Sequence, residues 1–248
     1  IRHYHAALVH GVGGSFYVGL HHIAKGESKL PFMLETAQWL QDLGLKIKWC
    51  AVDREYYSYE IISEFKRLGI NIITPVKEYD QLKGAKADYL LGKKGRIQQY
   101  KLKIGDDLDP GLKNTKIYMV LLGKHNQRLN KIKQEYWQGN KNIFEASDEI
   151  YGLLTARAPQ YSGTNFPKKL EELYKMRWQI ETAFRDNEIH KAIWRSNDDG
   201  ARFFNEMGRF IQYNLWQEAK VEDPRGEDFN FQLFRDEMVD EFTQQFNM

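Results

Sequence analysis

Tyr174, Arg177 and Glu181 place a phenol, a guanidinium and a carboxylate at helical spacing. In a helix running from Tyr174 to Arg185, Tyr174 lies about 20° and Arg177 about 40° from Glu181 around the axis, so the three share one stripe. Met176, Ile180, Ala183 and Phe184 form the neighbouring apolar stripe that would seat the helix on a core. The Arg and Tyr donors suit a phosphate, or the carboxylate itself. Taken alone, the same residues also read as a solvated helix pair.

A second group that could do chemistry lies in Ile47-Lys48-Trp49-Cys50-Ala51-Val52-Asp53-Arg54-Glu55-Tyr56-Tyr57-Ser58. An apolar run ending in Asp, then a turn, then Ile61, Ile62, Phe65 and Leu68 at helical spacing predicts a strand, a loop and a helix. Asp53 would then sit at the carboxyl end of a buried strand, where open α/β sheets tend to place functional side chains. It could equally cap the following helix, because Asp is a favoured cap residue. Residues 70–76 read as another short strand.

These segments together resemble the DDE transposases of bacterial and archaeal insertion sequences, in the group whose last catalytic residue lies on a helix with a Tyr, Arg, Glu, Lys signature. Val52-Asp53-Arg54-Glu55-Tyr56-Tyr57-Ser58 is similar to that group's second-Asp motif, and Tyr174, Arg177 and Glu181 match its Y-x2-R-x3-E spacing. The signature's Lys would fall at position 188, which is Glu188; Lys191 is the nearest replacement, about 80° around the helix from Glu181. The resemblance implies an α/β fold with an RNase H-like core. It also implies a carboxylate site for two Mg²⁺ or Mn²⁺ ions, with Asp53 and Glu181 as ligands and Tyr174 and Arg177 beside them. Cleavage and strand transfer on double-stranded DNA, in a cytoplasmic, nucleoid-associated prokaryotic protein that can act as a homodimer on DNA, follow from the same likeness.

The group's first catalytic Asp would lie on the opening strand of the sheet. Here residues 3–10 and 15–24 read instead as a hairpin around the Gly11 to Gly14 turn, and no Asp precedes Asp42, which belongs to the helical pattern from Phe32 to Leu43. By comparison the hairpin supplies the second and third strands, so the first strand and its Asp are expected to be missing. That gap supports an alternative: an inactive or domesticated remnant that binds DNA.

The boundaries expected are an RNase H-like core over 1–78, a β-rich insertion over 79–165, and a helical part over 166–248. Pro167 opens the signature helix, and Phe203, Met207, Phe210, Ile211, Asn214, Leu215 and Trp216 mark a later amphipathic one. Within the insertion, Tyr89, Leu90, Ile97, Tyr100, Leu102 and Ile104 alternate with basic residues around Gly92-Lys93-Lys94-Gly95, which predicts an exposed hairpin. Lys93, Lys94 and Arg96, with Lys191 on the signature helix, are the expected DNA contacts. A strand is expected from Ile150 to Thr155, and a surface helix from Phe229 to Phe246.

The formal charge of +2 says little about nucleic acid, and the 42% hydrophobic content supports a sizeable core. The single cysteine, Cys50, excludes an internal disulfide and fits a reducing compartment. No apolar run reaches the length of a membrane span. His3 and His5 alternate onto one strand face, but with no Cys at finger spacing a zinc site is not expected.

Overall fold

The computed structural model describes residues 3–11, 14–24, 26–77, 80–102, 110, 113–124, 128–157, 165–178, 181, 199–223, 225, 233–234 and 236–238. The chain forms two compact units, one from residues 1–32 with 178–248 and the other from residues 33–177.

In the first unit, β1 (His3–Gly11) and β2 (Gly14–Ile23) pair antiparallel as the expected hairpin, with a register shift at Ala7/Leu8. Helix α7 (Asp199–Glu222) packs on β2. Tyr17 stacks on Phe210 with ring centroids 3.9 Å apart, and Tyr213 and Trp216 complete the cluster. The residues expected to mark one amphipathic face therefore separate. Phe210 and Trp216 are buried, whereas Met207, Ile211 and Leu215 are exposed. Asn214 lies on the packed side, where its side chain accepts from the Tyr17 N–H at 2.8 Å and donates to the Tyr17 carbonyl at 2.7 Å.

The second unit is a mixed five-stranded sheet with helices. Its strands are β3 (Trp49–Ala51), β4 (Asn71–Pro75), β5 (Ile97–Tyr100), β6 (Ile117–Gly123) and β7 (Ile150–Thr155), in spatial order β3-β4-β7-β6-β5. Among the described residues only β3 and β4 pair in parallel. The near-continuous apolar runs of β4, β6 and β7 are buried on both faces, as strands covered from two sides should be. On one face Ile73, Val120, Leu122 and Leu153 meet Phe166 and Leu170 of α6 (Phe166–Lys175). On the other, a Cβ at Gly152 would come within 2.9 Å of Val76 and 3.2 Å of Leu82, so that position needs a glycine for close approach. The remaining helices are α1 (Leu30–Asp42), α2 (Tyr59–Arg67), α3 (Asp80–Leu90), α4 (Leu129–Trp137) and α5 (Ile143–Asp148).

Two expectations need correcting. The predicted hairpin around Gly92 is a helix, a turn and a strand: residues 80–90 form α3, and only 97–100 is strand. Leu82, Ala85, Tyr89 and Leu90 are buried at helical spacing, and α3 ends in a Schellman turn. There Gly92 takes φ +76°, its N–H donates to the Tyr89 carbonyl, and the Lys93 N–H donates to the Asp88 carbonyl. The 79–165 segment accordingly supplies α3, α4 and α5 as well as strands. Those strands lie in the same sheet as β3 and β4.

The second correction concerns the helix carrying the signature. It begins as expected, with Pro167 in its first turn, but α6 ends at Lys175. Met176 and Arg177 form a turn in which the Arg177 N–H donates to the Tyr174 carbonyl. Trp178 and Glu181 are helical beyond it. The turn at Met176 and Arg177 therefore interrupts the helix expected from Tyr174 to Arg185. Of the expected helix over 229–246, residues 233–234 and 236–238 are helical and the rest lies outside the described residues.

Candidate active site

Asp53 stands just beyond β3. The Val52 N–H still donates to the Ile73 carbonyl at 2.9 Å, and the chain then turns into a 3-10 turn over Arg54–Tyr56. Asp53 is the N-cap of that turn, its Oδ1 accepting from the Arg54 N–H at 2.7 Å. The capping role open at the sequence level is thus real, but it serves the short turn. Helix α2 has its own cap, Ser58, whose hydroxyl accepts from the Ile61 N–H at 3.1 Å. Among the described residues Asp53 Oδ2 makes no hydrogen bond, and the residue is exposed. The Asp53 carbonyl accepts twice, from the Tyr56 N–H at 3.0 Å and from the Thr74 hydroxyl at 3.2 Å.

Tyr174, in the last turn of α6, is half-buried and packs with Trp49 and Leu173 against the cluster beneath α6. Burial pushes its phenol pKa up, and the Arg177 guanidinium, 5.4 Å from the ring centre and hydrogen-bonded to the phenol, pulls it back. The charges of Asp53 and Arg54 also act on this phenol, the first raising and the second lowering its pKa. Helix α6 packs on β3, whose end Asp53 follows, so Tyr174 lies near enough to Asp53 to feel its charge. Tyr56 is half-buried on the near side, and burial first, then Glu55, Cys50 and Asp53, raise its pKa strongly. Tyr57 donates its hydroxyl to Tyr100 at 2.6 Å, with Lys77 5.6 Å from its ring centre. That bond and the burial of Tyr100 give Tyr57 a bracing role. Trp178 is 61% exposed.

The structure thus pairs Arg177 with Tyr174 and sets Tyr174 within the field of the Asp53 charge. Glu181 is helical and exposed in the first unit, and Lys191 and Glu188 lie outside the described residues. Among the described residues no group of three His, Cys, Asp or Glu side chains is close enough to hold a metal ion. The three expected DNA contacts near the α3 turn differ from one another. Lys93 and Lys94 are exposed, Lys94 pairing with Asp88 at 2.7 Å, whereas Arg96 is half-buried and near Tyr89 and Glu171, its pKa lowered chiefly by burial. Sequence patterning overlooked Thr74 and the Tyr57–Tyr100 pair. The signal for Thr74 was a lone hydroxyl in the otherwise apolar run Ile72-Ile73-Thr74-Pro75-Val76.

A mixed α/β unit with an acidic residue at the end of an edge strand that pairs in parallel with its neighbour, and with a Tyr and an Arg at a nearby helix end, is an arrangement suited to phosphate chemistry. The chain matches the model of the transposase DDE domain over residues 1–207, and it belongs to that family. No curated protein and no solved structure matches it. Among the described residues no helix is long and apolar enough to cross a membrane.

Proposed function

We propose that the chain carries two of the catalytic carboxylates for metal-dependent cleavage and strand transfer of double-stranded DNA at insertion-sequence ends. Asp53 and Glu181 are its metal-binding carboxylates. The observation that carries this reading is the position of Tyr174, which holds Arg177 against its ring and lies close enough to Asp53, just beyond β3, to feel its charge. Asp53 fits the role chemically: one oxygen is spent on the cap, while the other is a hard donor open to solvent, as Mg²⁺ or Mn²⁺ prefers. Two such ions, when bound, would generate the attacking oxygen and stabilise charge on the attacking and leaving oxygens.

The protein's own residues then have distinct tasks. The Asp53 cap bond holds its carboxylate in one direction, and Arg177, anchored on the Tyr174 ring, offers donors to a phosphate oxygen. Lys93, Lys94, Arg96 and Lys191 are proposed as contacts to the DNA backbone. Lys93 is the best placed of those described, because Lys94 is shared with Asp88 and Arg96 is largely withdrawn. Glu188 in place of the signature Lys favours a second reading, a DNA-binding relative without catalysis.

Nicking of supercoiled plasmid in Mg²⁺ or Mn²⁺ separates the two. The first reading expects little nicking by the chain as given and metal-dependent nicking once a strand bearing an Asp is joined ahead of the hairpin, abolished in Asp53→Asn and in Glu181→Gln with DNA affinity retained. Salt-sensitive DNA binding with no nicking under either metal, even with that strand joined, would leave the second. Nicking that survives both substitutions would refute the assigned ligands. For the DNA surface, Lys93→Ala should lower both affinity and the dependence of affinity on salt, because each phosphate contact releases counterions.

A further inference from the structure

Thr74 is fully buried in β4, one strand inward from β3. Its position is fixed from both sides: the neighbouring Ile73 is opposite Ala51 in the parallel pairing with β3, and Thr74 itself is opposite Leu154 in the antiparallel pairing with β7. From this base its hydroxyl donates to the Asp53 carbonyl at 3.2 Å. That bond begins where the β3–β4 ladder stops, since the last ladder bond is the one from the Val52 N–H to the Ile73 carbonyl. The same carbonyl accepts from the Tyr56 N–H, closing the 3-10 turn, while the Arg54 N–H holds Oδ1. Thr74 is therefore the link between the turn that orients the Asp53 carboxylate and the middle of the sheet.

We infer that Thr74 is a positioning residue for Asp53: its hydroxyl fixes the Asp53 backbone so that the cap bond presents the free carboxylate oxygen in one direction. This rests on the reading of Asp53 as a metal ligand. A hydroxyl amid Ile72, Ile73 and Val76 gains nothing from packing that valine would not supply, and valine has nearly the same shape. What valine lacks is the donor. Groups that orient a ligand contribute to metal affinity because a ligand held in place loses less freedom on binding.

The test uses the full chain and Mn²⁺ alone, with free Mn²⁺ followed by electron paramagnetic resonance. It also measures amide hydrogen exchange at Arg54 and Tyr56 in the metal-free protein. Thr74→Val should raise the Mn²⁺ concentration for half-saturation by about fivefold, the equivalent of one hydrogen bond worth about 1 kcal/mol. It should also speed exchange at both amides. Thr74→Ser, which keeps the hydroxyl, should restore both. In an Asp53→Asn background Thr74→Val should add no further loss of metal, because it acts through Asp53. If Thr74→Val is too unstable to purify, Thr74→Cys carries the same test: a weak donor should give a weakened site, and wild-type affinity would overturn the inference. Wild-type Mn²⁺ affinity in Thr74→Val, alongside its loss in Asp53→Asn, overturns the positioning role and leaves Asp53 a ligand. Wild-type affinity in Asp53→Asn overturns the ligand assignment and the inference with it.

Discussion

Replacing Asn214 by Leu tests how the first unit is held together. Among the described residues β2 pairs with β1 alone, so its outer edge has backbone groups without a neighbouring strand there. At Tyr17 the Asn214 carboxamide takes that place, accepting from the N–H and donating to the carbonyl, as the next strand would. Only a side chain with a donor and an acceptor side by side can do both. Tyr17 is 6% exposed and covered by Phe210, so these backbone groups have little water to turn to. Leucine removes two hydrogen bonds worth about 1 kcal/mol each and leaves two shielded groups unpaired, a combined cost of about 2–4 kcal/mol. Urea unfolding followed by the fluorescence of Trp216, which lies in the same cluster, should show the midpoint falling while the slope stays constant. Asn214→Asp keeps the acceptor, loses the donor and should fall between the two. A Leu variant with the wild-type midpoint would show that the α7–β2 packing rests on the aromatic cluster alone.

Gly152→Ala drives a methyl to 2.9 Å from Val76 and 3.2 Å from Leu82 and should destabilise the second unit by about 1–3 kcal/mol, read by thermal or urea unfolding. An unchanged midpoint would mean that α3 yields freely. A hydrogen bond from Arg225 holds Asp223 down at about 2, against an ordinary 3.8. The folded value lies below the unfolded one, so the contribution is complete above 3.8 and fades as pH falls toward about 2. Arg225→Ala should be less stable than wild type at pH 6, and the difference should close over that acid window; a difference that persists at pH 2 would assign it to packing. Desolvation pushes the thiol of the half-buried Cys50 up to about 12, so at pH 8 a thiol reagent should label the native protein far more slowly than the unfolded one. Equal labelling rates in the two states would contradict the raised pKa.

Much of the local structure follows from the sequence by itself, because its signals act over a few residues. The hairpin of β1 and β2, the β-branched run of β4, the strand from Ile150 to Thr155 and the start of α6 at Pro167 each combine a short-range pattern with a turn or breaker. The family motif around Asp53 and the Tyr174–Arg177 spacing are likewise sequence-local. Where two periods fit one short stretch, pattern alone misled. Tyr89 and Leu90 suit an alternating strand, but Leu82 and Ala85 pack on the same side only in a helix, which Gly92 then ends. The tertiary structure decided what depends on distant segments. It placed β7 between β4 and β6, although some 75 residues of chain separate β7 from β4, because complementary buried faces and not neighbouring residues set that pairing. It ended α6 at Lys175 and yet brought Tyr174 into the field of Asp53, a proximity no periodicity encodes. It also gave Thr74 a single use for its hydroxyl, since only burial beside the end of β3 turns an isolated polar side chain into the support of a carboxylate.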